Sequence, residues 1–357
     1  MLNGYRLDLD KMNTLTNTAT TARIEYIDLA KGFCIIFVVM LHVSNYYDVH
    51  FWLNEKITAF RMPLYYFLSG VFFKNYGGGI LFKKKVNKLL IPFLFWYLST
   101  SVLLKFFFGI VTGDNDSLWD LLTSIYYESE FFNSAIWFLL SLFYVNLLFY
   151  LCFSASNFPL FTVNNKSFGS LALVILSVGI GFCGLLLSYL HTNIPLFIDS
   201  SLTALPFFMA GFIIKKKTNL LSPNKMDKYA SIIIFLCFVF ISVFSDGRIK
   251  FLTNYYSHSS LISLYPCGII GTIGLLYCAK CLKHIPFVSY LGRYSIIVLV
   301  THELVFPRLD PMVSFLVEGD GEKFVLNLVL TLLCCFCLIP IVRRWLPYVT
   351  AQKDVFK

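Results

Sequence analysis

Residues 30–42, AKGFCIIFVVMLH, form an apolar run with a lysine near its start and a histidine at its end. At 3.6 residues per turn and 1.5 Å per residue, the step from Lys31 to His42 is close to three helical turns, about 16 Å, so both side chains share one stripe. Asp28 lies on the same face, one turn earlier. Titratable groups within a membrane span usually face a bundle interior or a water-filled cavity, so the run predicts a spanning helix with a functional face.

The composition predicts the same setting for the whole chain of 357 residues. Hydrophobic residues make up 57% and charged residues 14%, with 38 Phe and 21 Tyr. Soluble domains carry about 25% charged residues, and several stretches here approach the roughly 20 apolar residues that cross a bilayer. We therefore expect an all-α polytopic membrane protein, a bundle of about ten transmembrane helices. The expected spans are 27–45, 57–73, 89–111, 135–153, 168–190, 199–214, 229–245, 260–280, 287–306 and 323–341.

The distribution of basic residues predicts the orientation of the bundle. With a cytoplasmic amino terminus, the inner segments hold 22 of the 29 Lys and Arg residues. Such an excess is the positive-inside signature, and with ten spans it places both termini in the cytoplasm. Residues 1–22 then form a cytosolic tail, 23–345 the membrane domain and 346–357 a second cytosolic tail. The expected location is the inner (cytoplasmic) membrane, multi-pass, and the net charge of +9 needs no nucleic-acid partner.

Counting residues along the spans predicts a polar cluster at one depth. His42 rises about 22 Å into a core of about 30 Å, and His302, with Glu303 beside it, reaches a similar level. Arg61 enters from the other side and lies about 6 Å deep. Each such group is costly in lipid, which favours a functional cavity. The alternatives are an interhelical hydrogen bond for a histidine and a snorkelling side chain for the arginine.

Three stretches near the amino terminus carry a resemblance to a known family. They are RIEYIDLAKGFCIIFVVMLH at 23–42, FRMPLYYFLSGVFF at 60–73 and LFKKKVNKLLIPFLFW at 81–96. Two later stretches are similar to family features, IWFLLSLFYV at 136–145 and LGRYSIIVLVTHELV at 291–305. Together they resemble the acyltransferase-3 family of integral membrane acyltransferases.

The resemblance implies transfer of an acyl group, commonly acetyl from cytosolic acetyl-CoA, to a hydroxyl of a surface glycan or lipid-linked sugar at the outer face. The histidine of the family's first span corresponds to His42, the expected catalytic residue. The family's preceding basic residue, often Arg, corresponds to Lys31, which keeps the charge but loses the planar fork that binds phosphate. Acyl-CoA is thus the expected donor substrate, and no metal is expected.

The basic inner segments suggest where the donor enters. Lys31 marks the mouth, and Lys84, Lys85 and Lys88 can supply further phosphate contacts as point charges. Plain positive-inside anchoring is an equal alternative for these lysines. A neutral imidazole at His42 suits proton abstraction near physiological pH.

The remaining candidates have auxiliary roles. Arg61 is expected to stabilise an oxyanion or bind an anionic acceptor, while His302 and Glu303 orient His42 or relay protons, unless His302 only packs. Trp137 and Asn45 are candidate acceptor contacts, although Trp137 could instead belong to an interfacial aromatic belt. We expect structural roles for the residues whose type favours capping, pairing or close helix packing, namely Asp28, Ser69 and Gly70.

A second class of function also fits a polar stripe inside a bundle. In a secondary transporter or exporter of a glycan or small polar solute, the stripe would be a substrate or proton pathway. Transporters often show half-to-half repeats and sites near the midplane. The sequence shows no such repeat, and its polar cluster lies off-centre, which favours the acyltransferase. The expected partners are membrane lipids and the acceptor glycan.

Overall fold

The computed structural model describes residues 24–112, 117–126, 132–156, 162–163, 166–167, 169–217, 229–245 and 249–356. The predicted tail 1–22 lies outside the described residues. The helices are α1 (Glu25–Tyr46), α2 (Trp52–Val71), α3 (Gly78–Lys85), α4 (Ile91–Trp96), α5 (Lys105–Thr112), α6 (Leu118–Thr123), α7 (Trp137–Ser156), α8 (Gly169–Tyr189), α9 (Ile198–Lys217), α10 (Ala230–Phe244), α11 (His258–Leu282), α12 (Pro286–Arg293), α13 (Ser295–Leu316) and α14 (Asp320–Trp345). Two short hairpins pair β1 (Thr162–Val163) with β2 (Lys166–Ser167) and β3 (Ile249–Lys250) with β4 (Tyr255–Tyr256).

The helices confirm an all-α, multi-pass membrane protein. Within the described residues, seven are long and apolar enough to cross a bilayer: Glu25–Tyr46, Gly78–Phe107, Ser134–Ser156, Gly169–Tyr189, Ile198–Lys216, His258–Leu282 and Asp320–Trp345. The apolar helix α10 is shorter. Helices α2 and α13 are of spanning length, but each includes three charged residues, Arg61 among those of α2 and Glu303 among those of α13. The total of ten spans and the domain limits stay predictions.

Two of the expected spans differ from the helices observed. The span expected at 287–306 is two helices, because the backbone leaves the helical conformation at Tyr294 between α12 and α13. The span expected at 89–111 begins at Gly78 and passes through π-helical turns at Val86–Leu90 and Tyr97–Leu104. The first π-helical turn includes Lys88. Pro92 has no N–H, so it cannot donate the usual helical hydrogen bond to the carbonyl of Lys88, four residues earlier.

Close backbone contacts hold the core helices around α1 and α2. A Cβ atom built on Gly292 would lie 1.9 Å from the carbonyl oxygen of Asp28, so only glycine lets α12 lie this near to α1. A Cβ on Gly70 would lie 1.9 Å from the carbonyl oxygen of Phe208, where α2 crosses α9. Gly70 therefore occupies a packing position, the kind of role its sequence context predicts.

The bundle has two ends, which we name by the residues of α1 nearest to them. At the His42 end, the hydroxyl of Tyr47 donates to Oδ1 of Asp310 at 2.7 Å, and Asn327 donates to that hydroxyl at 2.7 Å. These contacts join the end of α1 to α13 and α14. The opposite end is the Lys31 end, where α14 finishes.

After α14 the chain folds back onto the third span at the Lys31 end, and we call residues 347–356 the C-terminal clasp. The buried Asn87 donates to the carbonyl of Phe356 at 2.7 Å and accepts from its N–H at 2.9 Å. Lys88 lies 2.8 Å from Oδ1 of Asp354. The indole of Trp96 also donates to a clasp carbonyl, at 3.0 Å. The clasp thus satisfies polar groups of the third span.

Candidate active site

The centre of the site is a contact between α1 and α13. Nδ1 of His42 lies 2.8 Å from Oε1 of Glu303. The His42 side chain is 24% exposed, whereas that of Glu303 is 6% exposed. The two residues lie 261 positions apart in the sequence, and the structure brings them into contact.

Glu303 is held by the 3₁₀ turn that leads into α7, Ser134–Ile136. The hydroxyl of Ser134 donates to Oε1 of Glu303 at 2.7 Å, and the N–H of Ala135 donates to Oε2 at 3.2 Å. A carboxylate fixed in this way accepts the Nδ1–H of a neutral His42, which leaves Nε2 of His42 as the proton acceptor. This is the arrangement by which an acid orients a histidine base.

His302 packs against the pair formed by His42 and Glu303 rather than bonding to either residue. Its ring centroid lies 5.1 Å from that of His42, at an interplanar angle of 65°. Nδ1 of His302 lies 3.0 Å from the carbonyl oxygen of Val298. A carbonyl only accepts, so Nδ1 carries the hydrogen. Nε2 of His302 is buried and has no hydrogen-bond partner among the described residues. Besides Nε2 of His42, the site thus has a second acceptor atom available for a proton or a polar ligand.

The same three side chains could in principle hold a metal ion. The ligand atoms of His42, His302 and Glu303 all lie within 4.8 Å of one another. Two imidazoles and a carboxylate are a familiar donor set for transition metals. The hydrogen bonds that Glu303 already accepts suit a histidine–carboxylate pair equally well, and the expected lack of a metal stays a prediction.

Arg61 lies against α1 next to the pair. The side chain is 5% exposed, so it does not snorkel to the surface. Nη1 of Arg61 donates to the carbonyl of Phe37 at 3.4 Å, roughly one turn below His42. Within the described residues, its guanidinium forms no salt bridge with a carboxylate and no hydrogen bond to His42 or Glu303. A buried cation of this kind is costly unless an anion or a developing negative charge compensates it.

A cavity of about 250 Å³ leads from the Lys31 end towards the pair, and we call it the Lys31 cavity. It lies between α1, α2, α7 and α13, and on α1 it extends from Lys31 to Val38. Leu299, one turn before His302, lines its inner end. The walls are mainly apolar, and the residues with polar groups among them are Lys31, Tyr65, Ser69 and Ser295. The cavity therefore reaches to about one turn below His42.

The mouth of the Lys31 cavity is more basic than the sequence alone indicated. The ammonium groups of Lys31 and Lys215 lie 5.7 Å and 5.9 Å from the ring centroid of Phe72, which is 46% exposed. Sequence reasoning missed Lys215 and Phe72, because nothing in the chain marks α9 as a neighbour of α1. Basic residues on one aromatic ring make a suitable surface for a phosphorylated ligand.

The other predicted donor residues lie elsewhere. The Lys84 ammonium sits 3.5 Å from the ring centroid of Tyr76, and Lys88 binds the C-terminal clasp. Lys85 is partly exposed at the end of α3. None of these three lines the Lys31 cavity, so the structure does not group them with Lys31.

The two predicted acceptor residues differ in exposure. Trp137 is 7% exposed, with its ring 5.8 Å from that of Phe197, so it is buried in the bundle rather than part of a lipid-facing belt. Asn45 is exposed at the last turn of α1. Ser69 lines the Lys31 cavity and accepts a hydrogen bond from Asn146 at 3.3 Å.

Comparison with known families identifies the family of the chain. The acyltransferase-3 family model, described as an acyltransferase domain, matches residues 24–344. No curated protein matches the chain. Because the family match covers nearly the whole chain, the chain belongs to the acyltransferase-3 family. With its apolar helices, this makes it a membrane acyltransferase.

Proposed function

We propose that the protein transfers an acetyl group from cytosolic acetyl-CoA to a hydroxyl of a surface glycan or lipid-linked sugar at the outer face of the inner membrane. The observation that supports this most directly is the Lys31 cavity, which connects a basic mouth to the level just below His42. The nucleotide phosphates of the donor would stay at Lys31 and Lys215. The pantetheine arm, which is long and largely uncharged, would fill the cavity.

The reaction then follows from the contact between His42 and Glu303. Nε2 of His42 takes the proton of the acceptor hydroxyl as its oxygen attacks the thioester carbonyl. The tetrahedral intermediate collapses, the bond between carbon and sulfur breaks, and the imidazolium returns its proton to the departing CoA sulfur. Glu303, 2.8 Å from Nδ1, stabilises the imidazolium between the two proton transfers.

Arg61 has a supporting electrostatic role in this proposal. Its guanidinium is buried roughly one turn below His42 and pairs with no carboxylate among the described residues. A preorganised cation in a water-poor site stabilises negative charge that develops on the thioester oxygen.

The first test addresses donor binding at the basic mouth. We expect Lys31→Ala and Lys215→Ala each to raise the KM for acetyl-CoA by about tenfold at low salt, because each removes one phosphate contact. Lys31→Arg should retain near-normal KM, since the charge remains. KM should also rise with ionic strength. Transfer from radiolabelled acetyl-CoA by purified protein in nanodiscs measures these values.

Lys74→Ala is the matched control, because Lys74 is exposed and follows α2 outside the Lys31 cavity. It should leave KM unchanged. Absence of saturable acetyl-CoA binding to the wild-type protein would overturn the proposal. Loss of glycan transport in vesicles as the sole effect of His42→Ala would then support a transporter instead.

The second test addresses the orientation of the bundle. Thr192 is exposed at the His42 end and His284 at the Lys31 end. We expect a cysteine at position 192 to react with an impermeant maleimide in intact spheroplasts, and a cysteine at position 284 to react only after lysis. The parent protein, whose Cys183 and Cys337 are exposed, must first be shown unreactive. The reverse pattern would place the Lys31 cavity on the wrong side for a cytosolic donor.

A further inference from the structure

A second cavity, of about 310 Å³, opens at the His42 end, and we call it the Tyr255 cavity. It lies between the end of α8, the turn that follows α8, strand β4 and the start of α11. It shares no lining residue with the Lys31 cavity and includes none of the residues assigned above. The family resemblance and the proposed reaction leave it without a role.

The lining has a distinctive chemistry. Nine of the described residues line the Tyr255 cavity; all but Leu261 carry a hydroxyl group or an imidazole, and none of the nine is Lys, Arg, Asp or Glu. Such a wall can donate and accept many hydrogen bonds without a formal carboxylate or ammonium charge. It therefore suits a neutral ligand with several hydroxyl groups better than a phosphate or a carboxylate.

Two pairs of rings stand at this cavity. The rings of His191 and Tyr255 are stacked, with centroids 6.4 Å apart and an interplanar angle of 24°. The rings of Tyr189 and His258 lie 6.0 Å apart. Tyr189 is 56% exposed and Tyr255 46% exposed, so ring surface remains accessible. Ring faces of this kind contact the apolar C–H face of a sugar, while neighbouring hydroxyl groups bond its rim.

The backbone holds His191 in place at some energetic cost. Its φ angle is +52°, in the left-handed region that residues other than glycine rarely adopt. The turn is closed by hydrogen bonds from the N–H of His191 to the carbonyl of Ser188, at 3.1 Å, and from that of Thr192 to the carbonyl of Leu187, at 2.9 Å. Strain retained in this way is common at binding sites.

A second observation concerns a buried hydroxyl group next to the Tyr255 cavity. Ser188 lines the cavity and is 6% exposed, yet its Oγ atom is buried without a hydrogen-bond partner among the described residues. A buried hydroxyl that stays unpaired costs about 1–3 kcal/mol. Rotation of the Ser188 side chain towards a ligand hydroxyl within the cavity would remove that cost.

We propose that the Tyr255 cavity is a glycan-binding subsite that holds one pyranose ring of a neutral saccharide, stacked on Tyr255 and hydrogen bonded by His258 and Ser188. Binding itself rests on the cavity alone, and the identification of this saccharide as part of the acceptor rests on the proposed function. The cavity and the pair of His42 and Glu303 lie at the same end of the bundle. An extended glycan could thus be bound at one point and acylated at another.

Direct binding tests the subsite. The probe is fluorescently labelled, de-acylated polysaccharide released from the envelope of the source cells, and the full-length protein is held in nanodiscs. We expect Tyr255→Ala and His258→Ala each to weaken binding by about tenfold or more, the loss typical of an aromatic anchor. Tyr255→Phe should retain most of the affinity because it keeps the ring. Fluorescence anisotropy gives the dissociation constants.

His50→Ala is the matched control, because His50 is an exposed histidine at the same end but outside the cavity. It should bind the probe normally, and an unchanged melting temperature of each variant shows that it is folded. The proposal is overturned if the wild-type protein does not bind the polysaccharide, or if Tyr255→Ala and His258→Ala bind it as the wild type does. The proposal is also overturned, in favour of a lipid headgroup as ligand, if glycerol phosphate displaces the labelled probe but the unlabelled polysaccharide does not.

The proposed subsite and the proposed function can be tested independently of each other. In the proposed reaction, water could replace the acceptor at His42 without contact to Tyr255, so Tyr255→Ala should leave the hydrolysis of acetyl-CoA in the absence of acceptor unchanged. If the wild-type protein neither hydrolyses nor transfers acetyl groups but still needs Tyr255 to bind the polysaccharide, then the proposed function is wrong and the subsite stands.

Discussion

The His42→Ala variant is expected to lose acetyl transfer by about 10²–10⁴-fold, the usual contribution of a general base. The substitution removes Nε2, the atom that accepts the proton of the acceptor hydroxyl. Donor binding should change little, because the basic mouth lies about 16 Å away along α1. Transfer of radiolabelled acetyl groups to envelope glycan, at matched protein levels in membranes, measures the effect.

A second variant separates chemistry from stability. Loss of the imidazole leaves the buried Glu303 without one of its partners, which itself destabilises the protein. His42→Asn retains an N–H donor near the position of Nδ1 but has no equivalent of Nε2, so it should be folded and equally inactive. His50→Ala is the control and should be fully active. Wild-type activity in His42→Asn would exclude His42 as the base.

Glu303→Gln is expected to lower kcat by about 10³-fold with little change in the KM for acetyl-CoA. The amide is nearly the same size as the carboxylate and still accepts from Ser134, but it cannot stabilise an imidazolium at His42. In the other orientation of the amide, its nitrogen takes the place of Oε1, the atom that both Ser134 and His42 contact. The amide would then donate to Nδ1 of His42, with Ser134 as an acceptor, and favour the tautomer whose Nε2 already carries a proton. Steady-state kinetics on purified protein separates kcat from KM.

The matched control for this substitution is Glu318→Gln, because Glu318 is exposed in the connection between α13 and α14. It should leave both constants unchanged. Glu303→Asp retains the charge but shortens the side chain, and an intermediate kcat is expected. A Glu303→Gln variant with normal kcat would mean that the carboxylate only anchors the 3₁₀ turn at Ser134, without any effect on the base.

The common depth of His42 and Glu303 could be predicted from the sequence because it depends only on the helical rise. Residue counting within apolar spans gives a depth, and it needs no knowledge of which helices are neighbours. The turn that holds Glu303 could not be predicted in the same way. Ser134 and Ala135 lie 168 or more residues from Glu303 in the chain and bear no pattern of their own.

The packing of the helices also explains why the sequence did not indicate Lys215 as a donor-binding residue and why it grouped Lys88 with Lys31. Lys215 belongs to a basic run that any inner loop of a membrane protein can show, so its position beside Phe72 is a property of the packing. Lys88 has the same character in the sequence, yet the C-terminal clasp binds it. A basic residue near a membrane therefore indicates a side of the bilayer, whereas its ligand depends on the tertiary structure.

The internal break at Tyr294 and the π-helical turns of the third span were not predictable from hydropathy. A helix surrounded by other helices and lipid is apolar on most of its surface, so its sequence has little periodicity from which to read a change in winding. The break instead coincides with the close approach of Gly292 to α1. Such contacts are visible only once both helices are in place.

The C-terminal clasp makes the folding of the third span depend on a much later part of the chain. Asn87 is buried, and its side chain bonds to the backbone of Val355 and Phe356, 268 and 269 positions later. Until those residues have been synthesised and have folded back, the Asn87 amide lacks these partners, at a cost of about 1–3 kcal/mol. The native packing of this early helix is therefore completed only after α14, which precedes the clasp, has been synthesised.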